Sequence, residues 1–130
     1  MSIRTGLIQI NVTNPQEAFS FYTDVLGFEI DELVGGSELP LLKNPGGPSI
    51  LLYPAAEQRK PNYPNETGPT LVFAVDNIDE TYRAWKEKGV RFIPVEWSDE
   101  ESGIAGCPFG RFIAFEDPAG NVHEVIEMKK

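Results

Sequence analysis

The sequence is short of the residues that build covalent or metal frameworks. It has one cysteine, Cys107, and one histidine, His123. A single cysteine excludes an internal disulfide framework. A single histidine raises a question about FEDPAGNVHEV, residues 115–125. Either the His123-Glu124 pair is one corner of a metal site, or it belongs to a strand whose partner ligands are missing. Long apolar runs are also lacking: none approaches the roughly 20 residues that span a bilayer. The opening MSIRTGLIQINV has no apolar core or small-residue cleavage site of a signal peptide, so a cytoplasmic location is expected. Basic clusters are confined to Arg59-Lys60 and Lys129-Lys130, against a formal net charge of −9. Such a surface repels nucleic-acid backbones and anionic membranes, so neither is expected as a partner. It suits a solvated acidic exterior or a cleft that attracts cations. No phosphate-cradling glycine-lysine loop and no nucleophile elbow occur.

What is present suffices for a compact globular fold. The chain has 130 residues, 41% hydrophobic and 24% charged. It divides near RKPNYPNETGP, residues 59–69, a stretch rich in Pro and Asn that reads as a connector. The segments on either side resemble each other. A shift of 63 positions aligns Val12 with Val75, Asn14 with Asn77, Glu17 with Glu80, and Tyr22 with Trp85. Gly27 meets Gly89 only after a slip of one residue. This is an internal repeat.

Each copy carries the start and stop of a helix. Asn14 and Asn77 suit the N-cap, where a side-chain oxygen accepts from the free N–H groups of the first turn. Glu17 and Glu80 stand three residues on, the spacing of a capping box. Pro15 fits the first helical position, which needs no N–H partner. Gly27 and Gly89 tolerate the left-handed conformation that ends a helix. Ala18, Phe21 or Tyr22, and Val25 make one apolar stripe; Ile78, Tyr82 and Trp85 make the other. Aromatics at this spacing indicate core packing rather than cofactor contacts.

Strands flank each helix. They are expected near 4–12, 28–34, 39–43 and 49–53, and again near 70–75, 91–97, 111–116 and 121–128. The unit is βαβββ, twice, with turn chemistry in GSELP and NPGGPS. SDEESGIAGCPFG, residues 98–110, is polar and Gly-rich and reads as a mobile loop. Alternation puts Ile8, Ile10 and Val12 on the helix side of strand one, leaving Leu7, Gln9 and Asn11 opposite. In the matching strand Leu71, Phe73 and Val75 face a helix, leaving Thr70, Val72 and Ala74 opposite. A sheet with helices on one side leaves its other face to solvent, a partner or a ligand.

FYTDVLGFE after NVTNPQEA, VDNIDETYRAWKEKGV in the second half, and FEDPAGNVHEVIE at the end resemble the vicinal oxygen chelate superfamily. That superfamily includes glyoxalase I, extradiol dioxygenases, and fosfomycin- and bleomycin-resistance proteins. The resemblance covers almost the whole chain. It implies a single α+β domain over 1–130, of two tandem βαβββ modules forming a cup-shaped mixed sheet. Module one runs from about 4 to 58, the connector from about 59 to 69, and module two from about 70 to 130. It also implies a homodimer.

In catalytic members of the superfamily, four strand positions hold a divalent metal, two per module. Carried over by resemblance, they fall at Leu7, Leu51, Thr70 and Glu124. Three of the four lack a carboxylate or imidazole, and sites for transition metals use three or four donors. No metal and no other cofactor is therefore expected. His123 points to the face opposite Glu124, because adjacent strand residues alternate. It is expected to pack near a helix or at the rim. Glu124 is then the candidate catalytic or anchoring residue, a base or hydrogen-bond acceptor in an apolar setting. Gln9, Asn11, Tyr53, Thr70 and Phe112 are candidate ligand-binding residues, and Ala114 should share the face of Phe112 and Glu124. Cys107 has no local base to activate it and reads as a loop thiol. Asp117 to Asn121 reads as a hairpin turn and lacks EF-hand spacing.

These features favour a metal-free member that binds a small organic molecule, similar to bleomycin-resistance proteins. The alternative is a metal-dependent lyase or dioxygenase of the superfamily. It would use a different ligand set, drawing on Gln9, Tyr53, His123 or a residue of a second subunit. A third reading is a regulatory or subunit-like domain.

Overall fold

The structure is a computed structural model that describes residues 2–31 and 39–130. It divides into two compact units, Met1–Arg59 and Lys60–Lys130. The connector expected at 59–69 thus belongs almost wholly to the second unit.

The first unit runs β1 (Leu7–Val12), α1 (Pro15–Ser20), a π-helical turn (Phe21–Val25), β2 (Glu29–Ile30), β3 (Leu41–Lys43) and β4 (Ser49–Pro54). Among the described residues its four strands lie in the order β1-β4-β3-β2, with β1 and β4 parallel and the rest antiparallel. Alternation along β1 holds: Ile10 and Val12 are buried, while Leu7, Gln9 and Asn11 are exposed. The Asn14 side chain accepts from the Glu17 N–H at 3.1 Å, and Pro15 opens the helix behind it. Gly27, at φ 90°, closes the helical segment. Tyr22 is fully buried, with Leu42, Ile50 and Leu52 completing the core beneath it. In the NPGGPS turn, the Asn44 amide donates to the Pro48 carbonyl at 3.0 Å. The strand expected at 28–34 is described only as far as Asp31, and most of GSELP lies outside the described residues.

The π-helical turn explains the slip in the repeat. Thirteen positions separate Asn14 from Gly27, but twelve separate Asn77 from Gly89. The surplus residue is absorbed where the Leu26 N–H reaches back five residues to the Phe21 carbonyl, at 3.1 Å. A π-helical turn is how a helix takes in one extra residue without losing its axis.

The second unit runs β5 (Val72–Ala74), α2 (Ile78–Glu87), β6 (Arg91–Ile93), β7 (Ala105–Cys107), β8 (Gly110–Glu116) and β9 (Val122–Met128). The order is β5-β9-β8-β6, with β5 and β9 parallel. The β6 strand pairs with β8 at Ala114–Glu116, and β7 pairs with it at Gly110–Phe112. The two short strands thus share one edge of β8, end to end. The expectation of a loop throughout 98–110 is corrected: a polar turn and a tight turn at Pro108-Phe109 flank a strand. In the polar turn the Asp99 carboxylate accepts from the N–H groups of Glu101 and Ser102, at 2.9 and 3.1 Å. Ile104 and Ala105 are buried, and β7 follows. The second unit is therefore βαββββ, not βαβββ.

Two charged contacts tie α2 to its sheet besides the Asn77 cap, which accepts from Glu80 N–H at 3.1 Å. Glu127 on β9 accepts from the Ile78 N–H at 3.0 Å. Arg111 on β8 donates two hydrogen bonds to Asp79, at 2.9 and 3.1 Å. The Arg111 guanidinium holds the Asp79 carboxyl below the usual carboxylate range. A side-chain carbon at Gly110 would collide with the Glu127 carbonyl, so the β8 start requires glycine. Among the described residues no helix is long and apolar enough to cross a membrane, and no buried side-chain polar atom lacks a partner.

Candidate functional site

Each sheet has one face turned from its helix, and the candidate residues fall mostly on these faces. In the first unit, register pairs Gln9 with Leu51 and Asn11 with Tyr53. The Gln9 amide donates to the Asn11 side-chain oxygen at 2.9 Å. Tyr53 is 44% exposed and Leu7 48% exposed, beside this polar strip. Gln9, Asn11 and Tyr53 thus lie together on one face of this sheet.

In the second unit, Glu124 sits on β9 between Val72 of β5 and Ala114 of β8. Its own N–H donates to the Leu71 carbonyl at 2.8 Å. Thr70 is exposed and lies just before β5. Phe112 and Ala114 share the face of Glu124, as alternation requires. Phe112, however, is only 8% exposed, packed with Ala105 and Ile126. The Trp97 ring stands 6.3 Å from it, centroid to centroid, and its indole N–H donates to the Gly106 carbonyl. Trp97, not Phe112, is the exposed aromatic there.

The contact that sequence reasoning missed is from Tyr63. Its hydroxyl donates to Glu124 Oε2 at 2.6 Å, a short bond of the charge-assisted kind. Partial burial, then the hydrogen bond and charge of Glu124, push the Tyr63 phenol well above its ordinary range, so it keeps its proton. Tyr63 lies in the stretch read as connector, 61 positions from Glu124, and no local pattern signals the pairing.

His123 lies on the opposite face, as expected. It is 4% exposed, edge-on to the rings of Phe73 and Phe115, both 5.6 Å away. Trp85 of α2 packs on Phe115 in turn. Burial pushes the His123 pKa down to about 4, opposed by the nearby Asp117 charge. Asp117 is spent on the hairpin turn. Its Oδ1 accepts from the N–H groups of Ala119 and Asn121, at 2.9 and 2.8 Å, and its Oδ2 accepts from the Asn121 amide. The reading of DPAGN as turn chemistry therefore holds. Cys107 is half-buried on β7 against the Phe112 cluster, on a strand rather than in a loop.

The residues do not fit the divalent metal of the superfamily's catalytic members. In the first unit Leu7 and Leu51 carry no donor atoms. In the second, Thr70 offers a neutral hydroxyl, and one oxygen of Glu124 is engaged by Tyr63. Among the described residues no three His, Cys, Asp or Glu side chains are grouped to hold an ion.

Comparison with known proteins agrees with this architecture. The chain resembles the protein YurT of Bacillus subtilis (strain 168), at 30% identity over 127 residues, 91% of this chain and 94% of that one. Its fold is similar to that of TnmS3, an antibiotic binding protein from Streptomyces sp. CB03234. The TM-score is 0.68 at 21% identity, with 99% of each chain covered. It is also similar to a glyoxalase family protein from Enterococcus faecalis, with a TM-score of 0.66 at 26% identity, covering 95% of this chain and 97% of that one. The family described as the Glyoxalase/Bleomycin resistance protein/Dioxygenase superfamily matches residues 4–125, and the chain belongs to it.

Proposed function

We propose that the protein binds a small organic molecule without a metal ion, with Glu124 as the polar anchor on the open face of the second sheet. The Tyr63–Glu124 hydrogen bond carries this reading. A carboxylate already oriented by a phenol, with Val72 and Ala114 as its register partners, is built as an acceptor within an apolar row. Leucine at positions 7 and 51 points the same way, since it offers contact area rather than coordination. Gln9, Asn11 and Tyr53, on the open face of the first sheet, and Thr70, just before β5, are candidate contacts; Phe112 is mostly buried, and the exposed Trp97 beside it is a further candidate. TnmS3, which shares the fold, is an antibiotic binding protein, so sequestration or resistance is the biological role to test first.

A thermal-shift screen of small organic molecules tests the reading. A ligand that binds only the folded state adds about 2.7 kcal/mol of apparent stability at a hundredfold excess over its Kd. Hits that stabilise the native chain and lose their effect in Glu124→Gln support the proposal. Hits that bind Glu124→Gln unchanged remove Glu124 from it. The reading includes a homodimer in the cytoplasm, as the superfamily resemblance and the cysteine-poor composition suggest. A monomer mass in sedimentation equilibrium removes the dimer.

A further inference from the structure

We infer that the Tyr63–Glu124 pair selects ligands by charge, admitting a protonated amine or amidine and refusing carboxylates and phosphates. This rests on the proposed binding function and names the ligand class for it.

A phenol has one proton and two lone pairs, and an ionised carboxylate has only lone pairs. The single Tyr63 proton is spent on Glu124 Oε2. The backbone N–H of Glu124 is spent on the Leu71 carbonyl. The register partners, Val72 and Ala114, bring apolar side chains. What the pair has left to offer a ligand is the Tyr63 oxygen and Glu124 Oε1, both acceptors. A group seated against them must bring its own N–H or O–H donors. A cation brings them with charge complementarity, and a hydrogen bond to a charged group is worth more than a neutral one. An anion meets the carboxylate, and neither the Tyr63 proton nor the Glu124 N–H is left to receive it. Val72, 49% exposed, offers apolar surface beside the charge, so the fitting molecule joins a cationic nitrogen to an apolar body. The net charge of −9 adds attraction at long range.

Tyr63 is a positioning residue in this scheme. It fixes one carboxylate oxygen and leaves the other free, so it sets direction, while Glu124 supplies the charge preference.

Three probes with one apolar body test the inference: phenethylamine, 2-phenylethanol and phenylacetate. Each is titrated into the full-length chain while the amide resonances of Val72, Ala114 and Glu124 are followed by NMR. The expected result is saturable shifts with phenethylamine, at least about tenfold tighter than with 2-phenylethanol, and none with phenylacetate. Glu124→Gln should abolish that order of preference. Tyr63→Phe should weaken the amine while keeping the order. The wild-type series alone decides the matter if a variant fails to fold. Binding of all three probes with equal affinity, or a preference for phenylacetate, overturns the charge selection and leaves organic binding standing. An amine preference unchanged in Glu124→Gln overturns the assignment to this pair. Silence of these three amides with all probes at millimolar concentration sinks both the inference and the anchor role of Glu124.

Discussion

The two units share a sequence repeat and differ in their helices and in their open faces. In the first, one surplus residue is stored in a π-helical turn over a fully buried Tyr22. The second has a regular helix, and β7 lies along the edge of β8 in its sheet. The open faces differ in chemistry. One carries an amide and tyrosine strip, the other a carboxylate held by a phenol. The lesson is that the repeat preserves what folds the unit, namely caps, glycine stops and strand alternation. What it varies is the open face of each sheet.

The largest expected effects contrast the aromatic anchors. Tyr22 and Trp85 occupy equivalent positions in the repeat, but Tyr22 is fully buried and Trp85 only partly. Tyr22→Ala should cost about 3–5 kcal/mol in urea unfolding, the range for large core truncations. Trp85→Ala should cost clearly less; equal losses would break the contrast between the two helices.

His123 supplies the next effect, which belongs to the second unit alone. Its folded pKa of about 4 lies below the unfolded value of about 6.5. Between those values the unfolded chain takes up a proton that the folded chain refuses. The His123 contribution is thus fully present above pH 6.5 and is lost as pH falls towards 4, by about 3 kcal/mol at the limit. Melting temperature measured from pH 7 to pH 4 should show the fall, and His123→Leu should flatten it. An unchanged slope in that variant would place the acid sensitivity elsewhere.

The smallest effect compares the helix caps. Asn14→Ala should cost about 1 kcal/mol, the usual value for losing an N-cap. Asn77→Ala should cost less, because Glu127 still accepts from the Ile78 N–H. Combining Asn77→Ala with Glu127→Gln should widen the loss beyond the sum if the two caps back each other up.

Much of this fold was legible because its signals are local. Asn14 and Asn77, Pro15, Gly27 and Gly89 mark helix ends by their own chemistry, and strand alternation placed His123 and Glu124 on opposite faces. The one-residue slip between the copies showed that one helix held more, though not in which turn. The strand β7 was hidden because its three residues follow a polar Asp99 turn, and pairing to β8 is what makes them a strand. Phe112 is buried with Ala105 and Ile126, which meet it only through the pairing of β7 and β9 with β8. The Tyr63–Glu124 bond joins residues 61 apart. Proline and asparagine around Tyr63 announce a connector, and nothing in that composition reports what its side chain reaches.

Glu124 is proposed to serve an organic ligand rather than an ion. Calorimetric titration of the purified chain with Zn(II), Ni(II), Mn(II) and Fe(II), beside Glu124→Ala, tests it directly. The prediction is no stoichiometric binding in either protein beyond weak surface association. One equivalent of any of these ions bound tightly by the native chain, and lost in Glu124→Ala, would contradict it.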